Sequence, residues 1–555
     1  MSITDRIGAI ARRARESRRR VWSGDGRTWV ELRGRADDER LDRIVERLQG
    51  VPGIRWVRWN ASLQRLVIAH DAPAEAVLEA VREVERACGL GQEPFAADPP
   101  KHPGDTTART RSVVRAAANV ASVGIGAALG VTGERPAPMT IDLAALSQAL
   151  ENLPAARRWI DDQLGGSRSD LLLGLANSAS SALARGATGQ AVDLVSRGLR
   201  LMEIRAQRDA WRRREPELGG RPEDHPSVAT PVGERPGHLP RGPIERYSEP
   251  AAMASLGGFG FGVAATGKAE RAAASILGAV PKPARVGREA FGATLGRHLA
   301  QRGVVVTDNR VLRRLDRVDT VVLPAELLRP RWGELEDLLP LGNAGRGEVQ
   351  IRAHRLFLPE QPDDARVEGE WALLPVDAPV GGPRAAFAAG LPGRSFLELR
   401  RGDRAMGLVA VRPVVEAALR ALVAQVRRLG LGLLVCAEQA DPVLWAHPDE
   451  VVSSVDLLRR VRELQSDDHG VLLVTVGEEV ASAAADVSLA LHDPSRPTPW
   501  RAHLVGRALA DVELLLEAVD AARRASRQSA WIAGAEAAAG LAQSLQGQKY
   551  STIRR

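Results

Sequence analysis

From residue 303 onward, short runs of branched apolar residues alternate with segments of helical periodicity, and that alternation leaves few folds open. The runs are Gly303-Val304-Val305-Val306, Thr320-Val321-Val322-Leu323, 431–435, 471–474 and 487–491. Strands that are apolar on both faces and separated by helices predict a doubly wound parallel sheet, because crossover helices must cover both sides to bury them.

The chain is α/β and multidomain, since its 555 residues exceed the roughly 250 that one core serves. Residues 1–22 read as a basic arm. Ile3, Ile7 and Ile10 share one helical face and arginines crowd the second half, which suits an anionic bilayer surface or a solvated tail. Between Thr28 and Cys88 the pattern is strand, helix, strand, strand, helix, which predicts a small ferredoxin-like domain over 23–91. A linker over 92–111 leads into an Ala-rich helical region, 112–214, and a Pro- and Gly-rich segment over 215–250 reads as an extended linker.

The stretches 113–132, 171–183 and 251–267 carry one arginine between them and no other charge. Each falls short of an unambiguous span of about 20 apolar residues, so hydropathy leaves membrane helices and buried Ala-rich helices equally open. The cluster Arg205, Arg208, Arg212, Arg213 and Arg214 stands where a positive cytoplasmic flank would. In 329–404 the expected strands are 348–351, 356–358, 371–374 and 396–399, and 529–555 reads as a final helix and tail.

Composition narrows function by exclusion. Cys88 and Cys436 are the only cysteines and sit in no Cys-x-x-Cys spacing, which argues against a disulfide scaffold or a thiolate metal site. A net charge of +7 permits an anionic partner, but only 4% of residues are aromatic and no Phe or Tyr interleaves the basic clusters, so no nucleic-acid partner is expected. The N-terminus has no apolar core ahead of a cleavage site, so no secretory signal is expected, and no Gly-rich phosphate cradle of Walker type occurs.

The stretch from Arg302 to Leu323 resembles the approach to the phosphorylation site of P-type cation-transporting ATPases of the heavy-metal kind. The resemblance implies an HAD-like domain over 303–328 and 405–528, with 329–404 as a reduced nucleotide-domain-like insert. It also favours the membrane reading of the apolar stretches. In the family the strand continues as Asp-Lys-Thr-Gly-Thr, whose aspartate is the nucleophile. Here it continues as Pro324-Ala325-Glu326-Leu327-Leu328. Proline cannot form an acyl phosphate, and Glu326 lies two positions from the strand end.

Other motifs are altered in the same direction. Gly407 to Pro413 and 432–435 resemble the second half of that domain, but Cys436-Ala437-Glu438-Gln439 stands where the family has Thr-Gly-Asp-Asn. Leu457 occupies the place of the phosphate-binding lysine. The segment around Glu478 and Glu479 replaces the magnesium-binding aspartates, and those two glutamates are weak candidates for a hard cation. In the ferredoxin-like domain, Asp37 and Arg40 fall where heavy-metal-associated domains carry two cysteines. Ala279-Val280-Pro281-Lys282-Pro283 keeps only the proline of the Cys-Pro-Cys ion site. Thr132-Gly133-Glu134 and His447-Pro448 spell family motifs in the wrong context.

The resemblance is to the degenerate N-terminal half of unusually long P-type ATPases of high-GC bacteria. It implies a pseudoenzyme with no catalytic residues and no cofactor. Such a protein would sit in the cell membrane with its ferredoxin-like and HAD-like domains cytoplasmic, beside membrane lipid and an active ATPase half. The alternatives are an active cation-transporting ATPase, which would need ATP and magnesium, and a soluble basic scaffold.

Overall fold

The computed structural model describes residues 19–34, 37–96, 100, 102–104, 187–228, 230–247, 282–377, 381–438, 445–477 and 479–545. They fall in two compact units, one drawn from 1–318 and 464–555, the other from 319–463. Residues 1–18 of the expected arm and the apolar stretches 113–132, 171–183 and 251–267 lie outside the described residues. Among the described residues no helix is long and apolar enough to cross a membrane.

The first unit opens with a hairpin, β1 (Val21–Gly24) and β2 (Arg27–Val30), turned at Gly26 with φ +68°. Then come α1 (Asp38–Gln49), β3 (Ile54–Asn60), β4 (Arg65–His70) and α2 (Ala74–Ala87), with the strands ordered β1-β2-β4-β3 and all antiparallel. The elements read between Thr28 and Cys88 are present, and β1, partly assigned to the arm, is an added edge strand. α1 buries Leu41, Ile44 and Leu48, one stripe at helical spacing. They pack with Val30, Leu66 and Ile68 on one face of the sheet. The alternate residues Trp29 and Val67 point to the other face, into a second core.

That second core receives α3 (Ala187–Leu218) and β5 (Val305–Val306), which flank α4 (Lys282–Gln301) in the chain. α3 and α4 pack along one another, and a Cβ at Gly296 would lie 2.5 Å from Glu203 Oε1, so the bare glycine permits the approach. Arg313 then grips buried Glu203 with two hydrogen bonds of 3.0 Å. Of the arginines expected as a positive flank, Arg205, Arg212 and Arg213 are exposed. Arg214 is turned inward, donating to the Gly303 carbonyl at 2.7 Å and to Glu217 at 2.9 Å, because a guanidinium is buried only where its donors are satisfied.

The second unit contains β6 (Thr320–Pro324), α5 (Ala325–Leu328), β7 (Trp332–Pro340), α6 (Arg346–Leu356), β8 (Arg366–Glu368), β9 (Trp371–Val376), α7 (Gly382–Ala389), β10 (Ser395–Arg401) and β11 (Arg404–Val414). It ends with α8 (Ala417–Arg428), β12 (Gly432–Cys436), β13 (Glu450–Val452) and the start of α9 (Ser454–Ser466). β6, β12 and β13 run parallel, and β7-β11-β10-β9-β8 form an antiparallel sheet. Two expectations are corrected here. The strands placed at 348–351 and 356–358 are α6 and its end, because Val349, Ala353 and Leu356 form a helical stripe against the sheet. Gly407 to Pro413, assigned to the domain after the insert, lies in β11 between β7 and β10, so the insert extends to 414.

The chain then re-enters the first unit with β14 (Val471–Val476), α10 (Ala481–Ala484), β15 (Val487–Leu491), β16 (Leu504–Gly506) and α11 (Leu509–Leu545). β14, β15 and β16 are parallel, while β5 pairs antiparallel with β16. The expected parallel strands are therefore present in both units as parts of mixed α/β architecture, with the run at 303–306 an antiparallel edge. α11 passes without a break through 528, the expected boundary before a final helix.

Candidate functional site

In open parallel α/β sheets the reactive groups gather at the carboxyl ends of the strands. In the second unit that place is formed by Pro324, the last residue of β6, and Cys436, the last of β12, which are direct partners across the parallel ladder. β6 is buried from Thr320 to Leu323, and only Pro324 emerges. With ψ 140° it leads directly into α5 and offers no hydroxyl, carboxylate or N–H. Glu326 is exposed on α5. The Trp445 indole donates to the Leu328 carbonyl at 3.1 Å, tying the region after β12 to the end of α5.

The residues that follow β12 are occupied in building structure. Ala437 is buried, and its N–H donates to the Val452 carbonyl at 2.9 Å. Glu438 accepts from the Ser454 hydroxyl at 2.5 Å and from the Ser454 N–H at 3.0 Å. These bonds, the hydroxyl's first, hold its carboxyl below the usual range. The carboxylate thus serves the start of α9, where unpaired backbone donors favour negative charge. Leu457, one turn into α9, is 2% exposed and faces the core. Position 457 is therefore a packing position. Gln439 lies outside the described residues.

The remaining candidates are not brought together. Glu479 accepts from the Ala481 N–H at 3.2 Å at the start of α10, and Glu478 lies outside the described residues. Asp37 is the N-cap of α1, accepting from the Arg40 N–H at 2.9 Å, and the Arg40 guanidinium stands 3.7 Å from Asp37 and 3.9 Å from Glu93. A cap carboxylate beside a cation does not fit a soft metal ion. Among the described residues no group of three His, Cys, Asp or Glu is arranged to hold a metal ion. Proline, a cap glutamate and a core leucine likewise do not fit a magnesium–phosphate group, which needs oxygen ligands and a positive charge.

A second constellation, not foreseen from the sequence, lies in the first unit. The Trp29 ring is fully buried, meeting Trp211 and Trp500 edge-on at centroid distances of 5.4 Å each, with His225 at 5.2 Å. Its indole N–H donates to Glu215 at 2.9 Å, and Arg27 reaches the same carboxylate through two bonds of 2.8 Å. Burial pushes the His225 imidazole down to about 4, and burial likewise pushes His102 well below its ordinary value. Both are therefore neutral parts of an aromatic box. The one signal in the sequence was 11 tryptophans against 2 tyrosines.

No protein-family model matches the chain. It is 30% identical over 566 aligned positions to a probable cation-transporting ATPase I of Mycobacterium leprae (strain TN), covering 90% of this chain and 34% of that protein. The match to the protein so described in Mycobacterium tuberculosis (strain CDC 1551 / Oshkosh) is also 30% identical, covering 91% and 34%. The chain therefore spans about a third of the length of the curated relatives it matches. Among solved structures, a zinc-transporting PIB-type ATPase aligns at 13% identity and a TM-score of 0.42, covering 71% of this chain and 92% of that one.

Proposed function

The chain is a relative of the cation-transporting ATPases over nine-tenths of its own length, and on that premise we propose that it is a catalytically degenerate P-type ATPase-like protein. Its role is structural or regulatory, within a membrane cation-transport system. The observation that carries the proposal is Pro324 at the end of β6, beside Cys436 and with Leu457 buried in α9. Phosphoryl transfer to an aspartate needs a carboxylate at that strand end and a cation nearby. All these positions are filled by groups that pack, cap or terminate.

On this reading the parallel strands belong to an HAD-like domain and the N-terminal β-module to the heavy-metal-associated type, with its metal loop turned into a helix cap. The partners are an active ATPase half, consistent with relatives about three times as long, and membrane lipid. α11 supports the latter by exposing Trp531 and Ile532 on a helix that also carries Arg524 and Arg527.

The test is acid trapping after incubation of the full chain with γ-labelled ATP and magnesium. No acid-stable, hydroxylamine-sensitive label is expected. Label that disappears when one of the chain's own acidic side chains is replaced would establish an active ATPase instead.

A further inference from the structure

Among the described residues of 219–241 there is no regular element beyond the single turn Pro222–Asp224, yet they are bonded at many points to two distant parts of the first unit. Toward the N-terminal β-module, the Pro226 carbonyl accepts from the Ala61 N–H at 2.9 Å, and His225 meets the Asn60 amide at 3.2 Å. Toward the 464–506 segment, the Trp500 indole donates to the Asp224 carbonyl at 2.5 Å and Arg501 to the Thr230 carbonyl at 3.2 Å. Further along, Arg235 donates to Asp486 at 2.8 Å and to the carbonyls of Gln465 and His469 at 3.2 Å and 2.6 Å. The His238 N–H donates to Asp468 at 2.9 Å.

From these contacts we infer that residues 219–241 are a fixed strap that clamps the N-terminal β-module to the 464–506 segment, so that the two move as one body. The linker expected over 215–250 would instead have let the module swing on a tether. Three features support a fixed strap. Asp486 is 2% exposed and accepts from both Arg235 and the Val471 N–H, so Arg235 is held by a carboxylate that has no solvent to fall back on. A Cβ at Gly237 would lie 2.3 Å from the Gln465 carbonyl oxygen, so the strap is seated closer than any side chain permits. Prolines at 222, 226, 231, 236 and 240 stiffen the segment before it is pinned, which lowers the entropy lost on pinning.

The strap stands apart from the function proposed above, since an active enzyme could carry it equally. Hydrogen–deuterium exchange on the full chain tests it directly. The amides of Ala61 and His238 are expected to be protected like those of β14. Exchange of 226–238 at the rate of an unstructured peptide would overturn the inference without any variant. In the Arg235→Ala chain, subtilisin cleavage within 219–241 is expected to rise by about tenfold or more, because cleavage follows the population of the opened state. Asp486→Asn, which keeps an acceptor for the Val471 N–H (3.0 Å), is expected to give a smaller rise. A folded Arg235→Ala chain cleaved at the wild-type rate would refute the clamp.

Discussion

Replacing Leu457 by lysine returns the side chain expected by family resemblance to a position that is now 2% exposed. Three effects set the cost. Losing the leucine from the core costs about 2 kcal/mol. A buried lysine is depressed by roughly 3 pKa units at about 1.4 kcal/mol each, or about 4 kcal/mol. A cation in the first turn of α9 also opposes the helix dipole by about 0.5 kcal/mol. The flexible stem lets the ammonium escape partly to water, which brings the expected net cost to about 4 kcal/mol. That corresponds to a roughly thousandfold rise in the hydrogen-exchange rate of the most protected amides of β6 and β12. Leu457→Met, which conserves volume, is expected to cost less than about 1.5 kcal/mol. If the lysine variant exchanges within tenfold of the wild type, the space beside the strand ends still accommodates a cation, and the conversion of this position to packing is wrong.

Glu215→Ala would orphan both the Arg27 guanidinium and the Trp29 indole N–H. Breaking such a buried pair is expected to lower stability by about 3–5 kcal/mol, and urea unfolding followed by tryptophan fluorescence measures it, with a loss below about 1 kcal/mol counting against the box. The pH dependence follows from His225, which is 5% exposed and whose pKa is pushed down to about 4 by burial. Because the folded state binds fewer protons than the unfolded one between pH 4 and about 6.5, its contribution is complete above about 6.5. It is lost as pH falls toward 4, by about 1.4 kcal/mol per pH unit and about 3 kcal/mol in all. Melting curves at pH 7 and pH 5 should therefore separate more for the wild type than for His225→Gln, and equal separations would remove His225 as the cause.

The sequence made the parallel strands legible because each is a short apolar run between helices, a local signal that survives without knowledge of the partner strand. It also singled out Pro324, Cys436, Glu438 and Leu457, of which Pro324 and Cys436 end adjacent strands. It did not reveal what those residues do instead: that Glu438 caps α9 depends on Ser454, 16 residues away. α6 was misread because Val349 and Ile351 alternate like a strand, whereas burial at 349, 353 and 356 follows the helical period. β11 was misassigned because, beyond its local hairpin with β10, it pairs with β7, which lies more than 65 residues upstream, as in Leu339 opposite Leu408. The aromatic box was missed for the same reason, since Trp29 and Glu215 are 186 residues apart, and the strap was missed because its carbonyls and its Arg235 bond residues more than 160 positions away.

The helix that delivers Glu215 to the box has 32 residues, which at 1.5 Å per residue is a rod of about 48 Å. Its last turns are seated among tryptophans, so the box acts as a socket, while α4 packed along it and Arg313 on Glu203 brace the rod further up. A tilt of about 5° in the socket sweeps the Ala187 end through about 4 Å. Such a tilt would have to drag α4 and Arg313 with it, so the angle between α3 and the N-terminal module is stiffly held.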